Sequence, residues 1–262
     1  MRLILCADDY AQSQGIDDAI IQLIQQKKLS AASCMTLSPH WHKAAKRISP
    51  AIRKQAAIGL HLDFTHFSPA VSHPKLIALS YLRLLNKQQV TQHIHRQLDL
   101  FEKALGTPPD YVDGHQHVQQ FAGLRELVLE VLQRRYPQRP WLRVSHVAQP
   151  DVKATIITCW GAHAWKRQLQ ATGWRALSPL RGAYDFNGGL EAYAQRMRQW
   201  LSQARQDGGL IMCHPAQGRD ESDDIGLARA WEYEYLASEA FAHDLNEAGV
   251  QLDRGRALHL LP

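Results

Sequence analysis

The sequence predicts an α/β protein, a single-domain variant (β/α) barrel of parallel strands over residues 1–262 whose site lies at the carboxyl ends of the strands. Short apolar runs alternate with stretches of helical periodicity from end to end, with no internal linker, low-complexity segment or short-period repeat. The 262 residues match the size of one such barrel, about 250 residues. Polar residues capable of chemistry also recur at the ends of the apolar runs, at Asp8-Asp9, at His61, at Asp113 with His115 and His117, and at His214. In a parallel barrel all such ends open at one mouth, so residues distant in sequence converge there.

The order of elements follows from local pattern. Arg2 to Tyr10 is a short apolar run that ends in two adjacent carboxylates, a buried strand leading into a loop. A helix from Gly15 to Ile24 stops near Lys27-Lys28, whose charge suits a helix C-terminus. Ser30 to Leu37 reads as a second strand, and Ser38-Pro39 starts a helix that ends before Pro50. Ala57 to Phe64 is the third strand and carries His61. Phe67 to Asn86 has no clean period and reads as an irregular excursion over the strand ends. Helical spacing returns from Val90 to Leu105, stopped by Gly106 and Pro108.

A short fourth strand, Asp110 to Asp113, runs into Gly114-His115-Gln116-His117, then a helix from Gly123 to Arg135 and a fifth strand from Trp141 to His146. A strand or helix start at Ala154 to Thr158, a helix at His163 to Ala171 and a loop at Arg181 to Asp185 come next. Helix Leu190 to Gln206, strand Gly208 to Pro215, a long helix Leu227 to Glu247 and a closing strand Val250 to Leu252 complete the chain.

Composition narrows the class. Hydrophobic content of 45% and charge of 21% are those of an ordinary globular protein. No apolar run approaches the ~20 residues of a membrane span and the first residues show no signal-peptide pattern, which predicts a cytoplasmic protein without membrane partners. Cys6, Cys34, Cys159 and Cys213 are far apart and mostly in apolar runs, so they read as reduced, buried thiols. The formal charge of +5 and the basic stretch Arg134 to Arg143 raise the question of a polyanion, but prolines and apolar residues interrupt that stretch. It reads as a solvated loop, and no nucleic-acid partner is expected.

Two adjacent carboxylates repel unless a positive group is shared between them, and a divalent metal is a usual answer; the alternative is one helix cap and one solvated acid. Asp9, His61 and His115 supply one carboxylate and two imidazoles, a three-ligand set that leaves positions open for water. Asp8 beside them could then act as base. His61 alone could equally be a satisfied buried histidine, and His214 before Pro215 could simply end a strand. His115 and His117 would point to opposite faces if the strand continued, leaving one to orient another residue or contact substrate. Asp113 fits either a partner that fixes a histidine tautomer or an Asx-turn residue.

The same residues carry a resemblance. Ala7-Asp8-Asp9, Gly59-Leu60-His61-Leu62, Asp113-Gly114-His115-Gln116-His117 and Cys213-His214-Pro215 stand in the order of the marks of YdjC-like carbohydrate deacetylases, which this sequence resembles over most of its length. The resemblance implies removal of an acetyl group from an N-acetylated sugar with one divalent metal, magnesium or zinc foremost, bound by Asp9, His61 and His115. It also implies Asp8 as base. His214 is the candidate acid for the leaving amine, and Asp113, His117, Trp141 and Arg143 are candidate substrate contacts. Trp141 could instead be core and Arg143 surface, and Tyr184 and Asp185 could border the mouth. The chain departs from the family pattern at Tyr10-Ala11, commonly Phe-Gly, and at Gln119, commonly His.

Two other functions fit the same residues. A metal-dependent phosphoesterase would welcome the positive charge but often uses two metals and more ligands. A catalytically inactive carbohydrate-binding barrel would keep the fold. Serine or cysteine nucleophile chemistry is disfavoured, since no G-x-S-x-G occurs and no cysteine sits in an activating context. A homodimer is the default assembly.

Overall fold

A computed structural model describes residues 1–68, 71–147, 161–207 and 209–255. The chain runs β1 (Arg2–Tyr10), α1 (Gln14–Gln25), β2 (Ala31–Cys34), α2 (Trp41–Ala45), α3 (Pro50–Gln55), β3 (Ala57–Leu62), α4 (His73–Tyr81), α5 (Lys87–Leu105) and β4 (Tyr111–Gly114). A tight turn (His115–Gln120) follows, then α6 (Leu124–Arg135), β5 (Trp141–Arg143), α7 (Ala162–Ala171), β6 (Ala176–Leu177) and β7 (Leu180–Arg181). The last elements are α8 (Gly189–Asp207), β8 (Leu210–Cys213), α9 (Gly226–Ala237), α10 (Glu239–Glu247) and β9 (Gln251–Leu252).

The strands pair in the order β6-β5-β4-β3-β2-β1-β8-β7, every pairing parallel, and β9 adds to the first residues of β1. The ends of this path meet where Val147, beyond β5, bridges Leu180 and the Leu180 N–H donates to the His146 carbonyl at 2.9 Å. The result is a nearly closed eight-stranded barrel, as the alternation predicts.

Period-two alternation sorts the side chains into two cores. Leu3, Leu5 and Ala7 of β1 face outward and pack with the helices, whereas Ile4 and Cys6 face the barrel interior with Ala57, Tyr111, Trp141, Leu210 and Met212. Gly59 makes the interior layer possible, because a Cβ there would lie 2.4 Å from the Tyr111 ring, which stacks on Trp141 at 4.0 Å between centroids. Above this apolar floor the inward positions become polar: Asp8, Ser33, His61, Asp113 and Arg143.

Several elements differ from the sequence expectation. The helix expected from Ser38 to before Pro50 is only the short α2, and a separate helix that the sequence expectation did not include, α3, starts where Ser49 caps Ile52 N (3.3 Å) with Pro50 in its first turn. The excursion before Asn86 contains α4, started by Ser72 with Pro74 just inside it. The long final helix is split at Ser238, which is extended and caps α10 at Phe241 N (3.3 Å). The β6 and β7 strands, in a region read partly as loop, are two residues each, too short to show a period. The strand or helix start expected at residues 154–158, and Cys159, lie outside the described residues. Cys6, Cys34 and Cys213 are buried free thiols.

Candidate active site

Alternation alone would send Asp8 and Asp9 to opposite faces of β1. The β1–β2 register slips between Ala7 and Tyr10, and Asp9 takes φ +67, a left-handed conformation that swings its carboxylate to the same mouth as Asp8. Ala11, at φ +79, completes the turn. Three contacts hold it: Ala11 N–H to Asp17 Oδ1 (2.7 Å), Gln12 N–H to the Asp9 carbonyl (3.0 Å), and the Ser38 hydroxyl to the Ala11 carbonyl (2.5 Å). Burial pushes the Asp17 carboxyl up to about 6.

Asp9 sits at the centre of one group. Its Oδ1 is 3.0 Å from His115 Nδ1 and 3.5 Å from His61 Nε2, and its Oδ2 accepts from Arg229 Nη2 at 2.8 Å. The ligand atoms of Asp9, His61 and His115 all fall within 4.8 Å of one another. Asp113 Oδ1 lies 2.7 Å from His61 Nδ1, which leaves His61 Nε2 to face Asp9. Burial opposes protonation of His61, but Asp113 and Asp8 outweigh it and push its pKa up to about 10. A site with that much negative charge around a neutral-capable imidazole has the donor chemistry to take a cation. Two nitrogens and one oxygen, with Arg229 already on the second Asp9 oxygen, fit a three-ligand metal position.

Asp8 belongs to a second, fully buried group. Arg143 holds it through two oxygens and also reaches Asp113 Oδ2 at 2.6 Å, while Ser33 Oγ donates to the same Asp113 oxygen at 2.7 Å. Burial alone would raise the Asp8 carboxyl; the Arg143 guanidinium and His61 reverse that and hold it well below the usual carboxylate range. The Cys6 thiol, pushed up by burial, lies 3.0 Å from Arg143 Nη2 and is not a nucleophile in this setting.

His115 and His117 escape opposite faces because the strand stops. Gln116 and His117 are left-handed, at φ 53 and 61, and the chain curls into a tight turn. Both histidines line the cavity, but His117 pairs through Nδ1 with Ser145 Oγ (2.9 Å) and stays out of the Asp9 group. Burial lowers its pKa to about 3. Gln119, one of the two departures from the family pattern, is buried and reaches the Arg143 carbonyl (3.4 Å) and Ser145 Oγ (3.3 Å), so it supports this corner from behind.

His214 follows β8 and lines the cavity, its ring edge-on to Phe186 at 5.4 Å. Burial lowers its pKa to about 4. The cavity, about 790 Å³, is walled by Asp8, His61 and His115 below, Tyr184 and Phe186 on one side and the acidic loop of Asp220 to Asp224 on another. Three expected sugar contacts are placed elsewhere. Asp113 is fully buried under His61, Arg143 is 1% exposed and bound to Asp8 and Asp113, and Trp141 is 4% exposed in the barrel floor, so none of them reaches the cavity. Tyr184 borders the mouth and Asp185 does not.

Sequence reasoning missed Arg229, Glu232 and Phe186. Charged Arg229 and Glu232 sit three residues apart on a helix face otherwise carrying Ala228, Tyr235 and Leu236, and both are buried. Charges on an apolar helix face were the available signal.

A parallel barrel with its polar side chains gathered at the carboxyl ends of its strands, and a cavity above them, is the architecture in which barrel enzymes carry their active sites. The chain belongs to the YdjC-like protein family, whose profile matches residues 2–247. It is 25% identical over 96% of its length to the carbohydrate deacetylase of Vibrio campbellii, covering 94% of that protein. It is 24% identical over 95% of its length to the chitooligosaccharide deacetylase of Yersinia enterocolitica, covering 96% of it. Among solved structures it resembles an Enterococcus faecalis V583 protein provisionally described as a cellobiose-phosphate cleavage protein, with TM-score 0.71, 21% identity and 96% of each chain covered. Among the described residues no helix is long and apolar enough to cross a membrane.

Proposed function

We propose that this chain, acting as one barrel unit, is a metal-dependent hydrolase that removes the acetyl group from an N-acetylated sugar or short oligosaccharide. The observation that carries the reading is the convergence of Asp9, His61 and His115 ligand atoms within 4.8 Å beside the buried carboxylate of Asp8. Asp9, His61 and His115 would hold a divalent ion, which would supply Lewis acidity toward an amide carbonyl and toward water. Asp8, kept ionised by Arg143 and lining the cavity beside the Asp9 group, would accept the proton of an attacking water, and the clamp that orients it also lowers its basicity. His214 lines the cavity wall and is neutral at rest because burial lowers its pKa to about 4, so it would deliver a proton to the departing amine only after first taking one up from the reacting water. Tyr184 and Phe186 offer apolar faces to a sugar ring. The names of the Vibrio and Yersinia relatives support an acetylated sugar as substrate.

A phosphoester substrate is less well served. Among the described residues Arg229 is the one guanidinium or ammonium group lining the cavity, and Asp9 and Asp223 already neutralise it. The deciding experiment measures acetate released from N-acetylglucosamine and its short β-linked oligomers, before and after chelation and with magnesium, zinc or manganese restored. Chelator-sensitive release supports the reading. No acetate with any metal, from protein that binds one, overturns it in favour of phosphoesters or a binding role.

A further inference from the structure

Glu232 is the one buried carboxylate at this mouth to which the scheme above gives no task. It is fully buried, and its partners are not cations but three donors: the His214 backbone N–H at 2.5 Å, the Tyr184 hydroxyl at 2.8 Å and the Tyr193 hydroxyl at 3.5 Å. The His214 contact matters because of where the ladder ends. The β1–β8 pairing stops at Ala7 and Cys213, and the next residue after His214 is a proline, so no neighbouring strand takes the His214 N–H. Its ring is no better anchored: among the described residues His214 Nδ1 has no hydrogen-bond partner. The imidazole is therefore held by its backbone and by the edge contact with Phe186.

Phe186 closes the circuit. It packs on Tyr184 at 4.7 Å and on His214 at 5.4 Å, and Tyr184 returns to Glu232 through its hydroxyl. Phe186 holds a left-handed backbone (φ 58), a strained state for a bulky residue that persists only where its surroundings impose it. Arg196 braces the following residue by donating to the Asn187 carbonyl at 2.8 Å. On the other side, Arg229, one helical turn before Glu232, orients Asp9.

We propose that Glu232 is a positioning residue: by the reach of its carboxylate it fixes His214 and the Tyr184–Phe186 wall as one unit, at a set place relative to the Asp9 group. The proposal deepens the deacetylase reading and rests on it for its kinetic consequence alone. Burying a carboxylate among neutral donors is costly, and the three hydrogen bonds that satisfy it fix the positions of the groups that donate them. A displacement of about 1 Å in a proton-delivering group can cost on the order of 10²-fold in rate.

The test separates reach from charge. Glu232→Gln keeps the length and an acceptor oxygen; Glu232→Asp keeps the charge and withdraws it by one methylene. Hydrogen exchange at the His214 amide reads the anchor without any turnover, and kcat, KM and metal uptake are followed in the same proteins. The expected result is that E232Q stays within about 3-fold of the parent in both amide protection and kcat. In E232D the amide exchanges at least about 10-fold faster and kcat falls about 10- to 100-fold, more than KM rises, with metal uptake unchanged. Unchanged His214 protection in E232D, or E232Q as damaging as E232D, overturns the proposal. If the parent protein releases no acetate the deacetylase reading fails, and the amide measurement still decides the role of Glu232.

Discussion

Arg143 grips Asp8 through both carboxylate oxygens, Nη1 to Oδ2 at 2.6 Å and Nη2 to Oδ1 at 2.7 Å, in a pocket where Arg143 is 1% and Asp8 3% exposed. A paired fork of this kind gives direction as well as charge: it fixes the plane of the carboxylate that faces the cavity. Arg143 also ties Asp8 to Asp113, and Asp113 in turn sets the His61 ring. One guanidinium thus links the candidate base to a candidate metal ligand.

Removing that guanidinium leaves two buried carboxylates without their cation. Arg143→Met is expected to destabilise the fold by about 3–5 kcal/mol, the usual cost of stranding one member of a buried pair. Arg143→Lys, which keeps the charge but not the fork, is expected to lose less stability and still lower turnover. Urea unfolding midpoints check the first expectation. For turnover, the acid limb of the pH–rate profile in the Lys variant is expected to move upward, because the weaker clamp lets the Asp8 carboxyl rise; an unmoved limb would remove Asp8 from the rate-determining proton transfer.

Asp8 and Asp9 are neighbours with separable tasks. Asp8→Asn is expected to cut acetate release by about 10²–10⁴ while metal uptake persists, and Asp9→Asn to abolish uptake and activity together. Isothermal titration with zinc or magnesium, run beside the acetate assay, distinguishes the two. Near-full turnover in the Asp8 variant with metal bound would falsify the base assignment.

Ala11 has a φ of +79, a conformation that glycine adopts without strain and an L side chain does not. The residue is fully buried and the turn is imposed by Asp17 and Ser38, so the strain persists. Ala11→Gly is expected to stabilise the protein by about 1 kcal/mol, the left-handed penalty outweighing the extra entropy of glycine in the unfolded chain. A lower unfolding midpoint than the parent would show that the Ala11 methyl packs more than its backbone strains.

How much of this was legible in the sequence depends on the kind of interaction. The barrel and its strand ends follow from hydrophobic period, because parallel strands must deliver their ends to one mouth, and motif order picks out Asp9, His61 and His115, but the left-handed turn that swings Asp9 to that mouth leaves no mark in the period. The position of His117 was not legible, since the left-handed pair Gln116 and His117 carries no glycine to announce a turn. In the sequence Trp141 and Arg143, an aromatic and a cation at a strand end, fit sugar contacts as well as they fit core and surface. Alternation places both inside the barrel, one stacked on Tyr111 and the other locked between carboxylates. Arg229 and Glu232 were hidden in a helix whose partners lie far away in sequence.

The last expectation concerns pH, with the metal chelated. Burial raises Glu232 to about 7 and Asp17 to about 6, so the folded state holds more protons than the unfolded one up to those values, and the stability each contributes is present at low pH and lost as pH rises. Burial lowers His117 to about 3 and His214 to about 4, so the unfolded state holds more protons, and these two make stability rise with pH until they are neutral in both states near 6.5. The Asp8 carboxyl, held low by Arg143 against its burial, contributes above about pH 4 and leaves this window alone. Between about pH 4.5 and 6.5 the two pairs therefore oppose one another, and the parent protein is expected to show a shallow stability profile. Glu232→Gln removes one member of the falling pair. Its stability relative to the parent is expected to increase steadily from pH 4.5 to 7, by at most about 1.4 kcal/mol per pH unit for one proton. Denaturation midpoints at half-unit pH steps measure that difference, and a constant offset between the two proteins across the window would show that Glu232 is already ionised in the folded state at pH 4.5.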